Sequence, residues 1–294
     1  MRIVILIIIL FVGAGFIFRN DITGLVKGKS TEKTEKVKKE KEEQPASPGV
    51  NIAQQWDLPA ALKEVSGIAY IDAERFACVQ DEEGTVFIYN RSSGQVEKEL
   101  PFAGAGDYEG IALKGDHVYV LRADGQLYEM DMMKGQSSVK TYTTGLTAEH
   151  NVEGLTYDQK HDRLLLAIKD EEPAGKDYKG IYAFDLATKQ FDATPVARID
   201  LKHELFQQQQ GGKKSKAVAP SEIAIHPVSG EFYITDGPRS RLLIMEPTGN
   251  IKKLVNLGPQ FEQPEGISFG PDGELFISNE GKKNAGNILQ VSLQ

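Results

Sequence analysis

Past about residue 50, short apolar stretches alternate with small groups of turn-forming residues. The pattern is clearest at residues 110–113, 117–121, 126–130 and 138–142, which are divided by Lys114-Gly115-Asp116, Asp124-Gly125 and Lys134-Gly135. Short apolar runs bounded by Gly and Asp predict β-strands joined by tight turns. The head of this set, Tyr108-Glu109-Gly110-Ile111-Ala112-Leu113, recurs. It returns as Val65-Ser66-Gly67-Ile68-Ala69-Tyr70, Val152-Glu153-Gly154-Leu155-Thr156-Tyr157, Ser221-Glu222-Ile223-Ala224-Ile225 and Pro264-Glu265-Gly266-Ile267-Ser268-Phe269. With Ser66, Glu109, Glu153, Glu222 and Glu265 as the second position of each copy, the steps are 43, 44, 69 and 43 residues. A period in the forties built from short strands is the mark of a β-propeller.

The remaining copies follow the same plan. The first predicts strands at 67–71, 75–80, 86–90 and 96–100, the third at 154–157, 163–169, 180–186 and 196–201. The fourth predicts 223–226, 231–235, 241–246 and 251–257. The last predicts only 266–269, 274–278 and 287–293 before the chain stops. A strand at 53–58 would complete that last blade and close the ring, which removes exposed strand edges. The 69-residue step is too short for two blades, so it holds one blade and an insertion at 202–219. That insertion, with Gln207-Gln208-Gln209-Gln210 and Lys213-Lys214, reads as a helical or mobile surface loop. The fold class expected is all-β, a five-bladed propeller over residues 51–294.

Two segments precede it. Residues 3–18 form an unbroken run of apolar or small residues between Arg2 and Arg19. As a helix such a run spans roughly 24 Å, a little short of a hydrocarbon core, and the flanking arginines lengthen its effective reach. Gly13-Ala14-Gly15 is a poor cleavage site. Residues 1–19 are therefore expected to be a signal anchor that holds the body on the outer side of a bacterial inner membrane; secretion after cleavage is the alternative. Residues 20–50 are rich in Lys, Glu and Thr and end in Pro45-Ala46-Ser47-Pro48-Gly49. They have no face to bury and read as a solvated linker.

The net charge is −8, and residues 1–48 carry nine Lys and Arg against six Asp and Glu. The body is thus more acidic than the whole, which excludes nucleic acid as a partner and suits cations. One cysteine, Cys78, lies in an apolar run, so neither a disulfide framework nor a cysteine metal site is available within the chain. The five histidines, His117, His150, His161, His203 and His226, show no spacing that serves zinc. No nucleophile elbow or nucleotide-binding glycine loop is present.

In a propeller the first strand of each blade lines the central channel. The second runs back antiparallel, so its end shares a face with the start of the first. One channel mouth is therefore expected to collect Glu109, Glu153, Glu222 and Glu265 with Asp81, Asp170, Asp236 and Asn279. At ~6 Å each carboxylate pair repels by about 1–3 kcal/mol at intermediate dielectric. Cations, protons, backbone donors, or Arg122 and Lys169 must offset that. Calcium suits an oxygen-only donor set. Locking of adjacent blades by glutamates that accept backbone hydrogen bonds is the structural alternative, and the two can coexist.

The five repeat copies, together with Pro271-Asp272-Gly273-Glu274-Leu275-Phe276-Ile277-Ser278-Asn279, resemble the SdiA-regulated (YjiK/CarP-like) β-propeller family over about residues 51–294, and more distantly NHL-repeat propellers. The resemblance implies a five-bladed, exported, calcium-binding module linked to calcium responses, with no established catalysis. The competing expectation is a calcium-dependent hydrolase of the lactonase or phytase-like kind, with Glu109 or Glu153 as base and Lys169, Arg122 or His150 beside the substrate. A scaffold for a protein partner, contacted through the insertion, is a third.

Overall fold

The computed structural model describes residues 49–208 and 218–294. The expected anchor, all but the end of the linker, and the middle of the insertion lie outside the described residues. Among those described, no helix is long and apolar enough to cross a membrane.

Five four-stranded antiparallel sheets make up the body. Blade one is β2 (Val65–Tyr70), β3 (Arg75–Gln80), β4 (Glu83–Asn90) and β5 (Gln95–Ala105). Blade two is β6 (Tyr108–Lys114), β7 (His117–Arg122), β8 (Gln126–Asp131) and β9 (Lys140–Thr143). Blade three is β10 (Val152–Asp158), β11 (Arg163–Ile168), β12 (Tyr178–Asp185) and β13 (Gln190–Asp200). Blade four is β14 (Pro220–Ile225), β15 (Phe232–Asp236), β16 (Arg241–Met245) and β17 (Ile251–Asn256). In blade five, β18 (Pro264–Phe269), β19 (Leu275–Asn279) and β20 (Asn287–Leu293) are joined by β1 (Val50–Asp57) from the other end of the chain.

The closure follows the expected plan. β1 pairs antiparallel with β20, from Val50 opposite Leu293 to Asp57 opposite Asn287. The Leu58 N–H then donates to the Gly286 carbonyl at 2.8 Å. The first strands β2, β6, β10, β14 and β18 adjoin one another in turn and return to β2, which makes the ring.

The core lies between sheets. Each of five apolar clusters is shared by two neighbouring blades. In β11, Leu164, Leu166 and Ile168 pack toward blade two, while Leu165 and Ala167 pack toward blade four. A strand covered on both faces has no reason to alternate apolar with polar, which explains its continuous apolar run. Cys78 is fully buried between blades five and one, and burial pushes its thiol up, so it serves as a small apolar side chain. The insertion is tied at its ends: Phe206, in the one-turn helix α1 (Glu204–Gln208), and Val218 both enter the cluster between blades three and four.

Every first strand bulges near its start. The ladder skips Ser66, Glu109, Glu153 and Ser221, and in blade five the pair Glu265 and Gly266. A bulge leaves one residue unpaired and re-aims its side chain. Gly67, Gly110, Gly154, Glu222 and Gly266 come next. The fourth copy is thus shifted by one from the sequence alignment: Ser221, not Glu222, matches Ser66, Glu109, Glu153 and Glu265. Hydrogen bonding supports the match. Ser66 Oγ donates to the Tyr108 carbonyl at 2.6 Å, and Ser221 Oγ donates to the Pro264 carbonyl at 2.8 Å, each across to the first residue of the next blade. Elsewhere glycine follows the bulge because the next blade comes close. A Cβ on Gly110 would sit 2.6 Å from Leu155 Cβ and 2.8 Å from the Glu153 carbonyl oxygen.

Candidate functional site

The bulges bring three glutamates, Glu109, Glu153 and Glu265, to one mouth of the channel, while Ser66 and Ser221 at the same place bond across to the next blade. Glu153 is 3% exposed and Glu265 9%, and Glu109 is half-buried. Burial raises all three carboxyls above their usual range. Glu153 and Asp107 push Glu109 further, and Glu280 pushes Glu265 further. Removing a carboxylate from water disfavours its charged form, and a like charge nearby adds to that.

Lys169 opposes this. Its Nζ lies 2.6 Å from Glu153 Oε1, and its side chain is 21% exposed. Burial works against its charge, but the Glu153, Glu265 and Glu109 carboxylates outweigh burial and hold its pKa above the usual value. Lys169 directly follows β11. The residues at the same step in the other blades are Asp81, Ala123, Gly237 and Glu280. One of these five places therefore sends an ammonium among the glutamates. Gly237 leaves room for Glu265, whose oxygens would lie 3.0 and 3.2 Å from a Cβ there. Asn151 meets the same carboxylate oxygen: its Nδ2 donates to Glu153 Oε1 at 2.9 Å and to Asp170 Oδ2 at 3.2 Å.

Glu222, one residue past its bulge, is 1% exposed. Its Oε1 accepts from the backbone N–H of Ile223 at 2.9 Å and from that of Leu155 in blade three. The first strands have no partner on the channel side, so their inner N–H groups need acceptors. Glu222 supplies one acceptor for two blades. Burial raises it well above its usual value; the two N–H groups work the other way, and Glu109 and Glu153 add to the rise.

The expected second-strand group is spread over three steps of the ladder. Asp236 and Asn279 end their strands, in register with Gln80, Arg122 and Ile168. Asp81 lies one step beyond and Asp170 two. Asp236 is fully buried, with Oδ1 2.8 Å from Arg239 Nη1 and Oδ2 3.0 Å from Arg241 Nε. Asn279 donates from Nδ2 to Asn287 Oδ1 at 2.9 Å. Asp81 is pushed up to about 6 by burial and by Glu64, Glu280 and Glu82. Arg122 turns away from the glutamates and forks onto Asp124, with contacts of 2.9 and 2.6 Å. Lys169 and Glu153 are thus drawn together, with Glu109 and Glu265 within electrostatic reach, while Asp236 and Arg122 are committed elsewhere. Ser221 and Asn151 were not singled out from sequence. The match of Ile223-Ala224-Ile225 to Ile68-Ala69-Tyr70 is the signal that locates Ser221.

The donor chemistry fits a hard cation in one respect. Among the described residues at this mouth, four buried side-chain oxygens have no hydrogen-bond partner: Glu153 Oε2, Glu222 Oε2, Asp81 Oδ1 and Asn279 Oδ1. Spacing is the other half of the test. Among the described residues, no three His, Cys, Asp or Glu side chains stand close enough together to hold a metal ion as they are placed. The opposite mouth differs in kind. Tyr70, Leu113, Tyr157, Ile225 and Phe269 ring a cavity of about 220 Å³ with no ionisable acid or base other than tyrosine in its lining.

The profile of a family described as SdiA-regulated matches residues 47–283. Among curated protein sequences none matches. Of the solved structures, glutaminyl cyclase from Myxococcus xanthus is 17% identical, with a TM-score of 0.59 over 83% of this chain and 96% of that one. Virginiamycin B lyase from Staphylococcus aureus is 13% identical, with a TM-score of 0.43 over 78% of this chain and 67% of that one. At such identities the likeness to glutaminyl cyclase extends to the fold alone.

Proposed function

The chain belongs to the SdiA-regulated family, and from that premise we propose that its propeller is a cation-binding module of the bacterial envelope, with calcium as the ion. The residues that would hold the ion are Glu109, Glu153 and Glu265. The observation that carries this reading is Glu153 Oε2, an oxygen of a carboxylate 3% exposed, which has no hydrogen-bond donor in a mouth lined by further acids. Bound calcium would supply charge neutralisation between blades two, three and five. The chain's own part is to bring three carboxylates from three blades to one mouth and to exclude most water from them. As placed, the three do not stand at coordination spacing, so holding an ion would require their side chains to move. Residues 1–19 would anchor the module in the inner membrane, with the propeller on the outer side.

Calorimetry of the full chain in detergent with calcium chloride tests this reading. Heat of binding and a rise in melting temperature are expected, and both should weaken in Glu153→Gln. No heat and no melting shift at millimolar calcium would refute it. Turnover of lactones or phosphate esters that stops on chelation would instead point to a hydrolase.

A further inference from the structure

The geometry points to a second binding site at the channel mouth opposite the glutamates, one that takes a small uncharged ring compound carrying an amide. The inference goes beyond the cation reading and shares no residue with it.

Three observations carry it. First, β2, β6, β10, β14 and β18 each lie at the edge of their sheet, so one side of each has no partner strand. Along an antiparallel strand the N–H and C=O of successive residues point to alternate sides. Ile71, His226 and Gly270 donate within their own hairpins, which leaves Tyr70, Ile225 and Phe269 facing the channel. Leu113 and Tyr157 hold the same ladder step in their blades. The mouth is thus ringed by backbone N–H and C=O groups from every blade. The Tyr70 N–H has an acceptor, Ser268 Oγ of blade five, at 2.9 Å. Deeper in the channel Glu222 plays that part for Leu155 and Ile223. Among the described residues, no side chain and no neighbouring blade supplies an acceptor to the N–H of Leu113, Tyr157, Ile225 or Phe269.

Second, Thr156 holds in blade three the place that Ser268 holds in blade five, and its hydroxyl makes no hydrogen bond among the described residues. Ala69, Ala112 and Ala224 fill that place in the other blades. Both hydroxyl residues line the cavity. Third, size and charge narrow the occupant. The cavity of about 220 Å³ is smaller than the ~300–1,000 Å³ of sites for drug-sized ligands, so it suits a single small ring. The rim of Tyr70, Leu113, Tyr157, Ile225 and Phe269 is half-buried and mostly hydrocarbon, which suits an apolar face. No carboxylate or ammonium lies in the lining, and Lys114, beside Tyr157, is already paired with Asp162. A charged ligand would lose its water there without gaining a counter-charge. An amide offers a carbonyl oxygen to the open N–H groups, and an N–H to the open carbonyls or to Thr156.

The test titrates the full chain, isotope-labelled and in detergent, with δ-valerolactam, a cyclic amide, and follows backbone amide signals by NMR. Those of Leu113, Tyr157, Ile225 and Phe269 should shift and saturate at about millimolar probe, the range open to so small a ligand. Cyclohexanone, which lacks the N–H, should bind at least about threefold more weakly, and cyclohexanecarboxylate at least about tenfold. Thr156→Val keeps the shape without the hydroxyl and should weaken δ-valerolactam about threefold. No saturable shift of the rim amides in ~100 mM δ-valerolactam would overturn the site. Equal binding of cyclohexanone would overturn the amide assignment, and equal or tighter binding of the carboxylate the uncharged one. Rim shifts that follow a change of detergent and that δ-valerolactam cannot reverse would give the mouth to an alkyl chain and overturn the proposal. Binding that Thr156→Val leaves unchanged would strike Thr156 from the site. None of these readouts involves calcium, so failure here leaves the cation reading standing.

Discussion

Replacing Glu222 by Gln and by Ala should have opposite consequences. Its Oε1 accepts from the N–H groups of Leu155 and Ile223, and its side chain is 1% exposed. Glu222→Ala removes that acceptor and leaves two buried N–H groups unpaired. Each such group costs about 1–3 kcal/mol, so the variant should lose about 2–6 kcal/mol of stability. Glu222→Gln keeps an acceptor oxygen in the same place and discards the charge. The folded carboxyl is raised well above its usual 4.5. A group whose pKa rises on folding contributes stability that is fully present below its unfolded value. That contribution is lost as pH climbs toward the folded value. Up to about 1.4 kcal/mol per pH unit of the wild-type decline above pH ~5 therefore belongs to Glu222. Glu222→Gln should match the wild type near pH 5, exceed it near pH 8, and show a shallower slope between them. Glu109 and Glu153 are coupled to Glu222, so relief of their repulsion adds to the change in slope. Guanidinium denaturation at several pH values measures this. Glu222→Gln losing as much stability as Glu222→Ala at every pH would refute the acceptor argument. Equal slopes in wild type and Glu222→Gln would refute the charge argument.

Other substitutions probe the joints between blades. Gly110→Ala puts a Cβ 2.6 Å from Leu155 Cβ and should destabilise by about 1–3 kcal/mol in denaturant melts, by forcing blades two and three apart. Ser66→Ala removes one hydrogen bond to the next blade and should lose about 0.5–1.5 kcal/mol in the same assay, whereas Ser221→Ala also removes buried bonds to Thr235 Oγ1 and from the Gly237 N–H and should lose more. Asp236→Asn weakens the partner of two arginines at a fully buried position, with an expected loss of about 3–5 kcal/mol and little effect on calcium calorimetry.

The repeat alone determined the architecture. Five copies of an aliphatic strand start, four of them opened by Gly, with Gly and Asp turns between strands, leave few ways to bury their apolar residues other than a ring. The unmatched strand before the first copy told how that ring closes, and β1 on β20 is where the count of strands required it. The ends of strands were less legible: β5 runs to Ala105, well past the apolar positions that announced it, because its extension pairs with Glu83 across a bulge. At the site, residue type misled where ladder register decided. Glu222 looks like the partner of Glu109 and Glu153 in sequence, but Thr235 faces it as Val79 faces Gly67, which puts it one step deeper. Asp81, Asp170, Asp236 and Asn279 look alike as chain-reversal Asp and Asn residues and fall on three different steps for the same reason. Side-chain pairing was beyond the sequence altogether. That Lys169 enters the glutamate ring while Arg122 forks onto Asp124 depends on distances of under 3 Å, and those are set by how five sheets tilt against their shared cores. The sequence thus determined which residues could reach the channel mouth; packing between blades decided which of them meet.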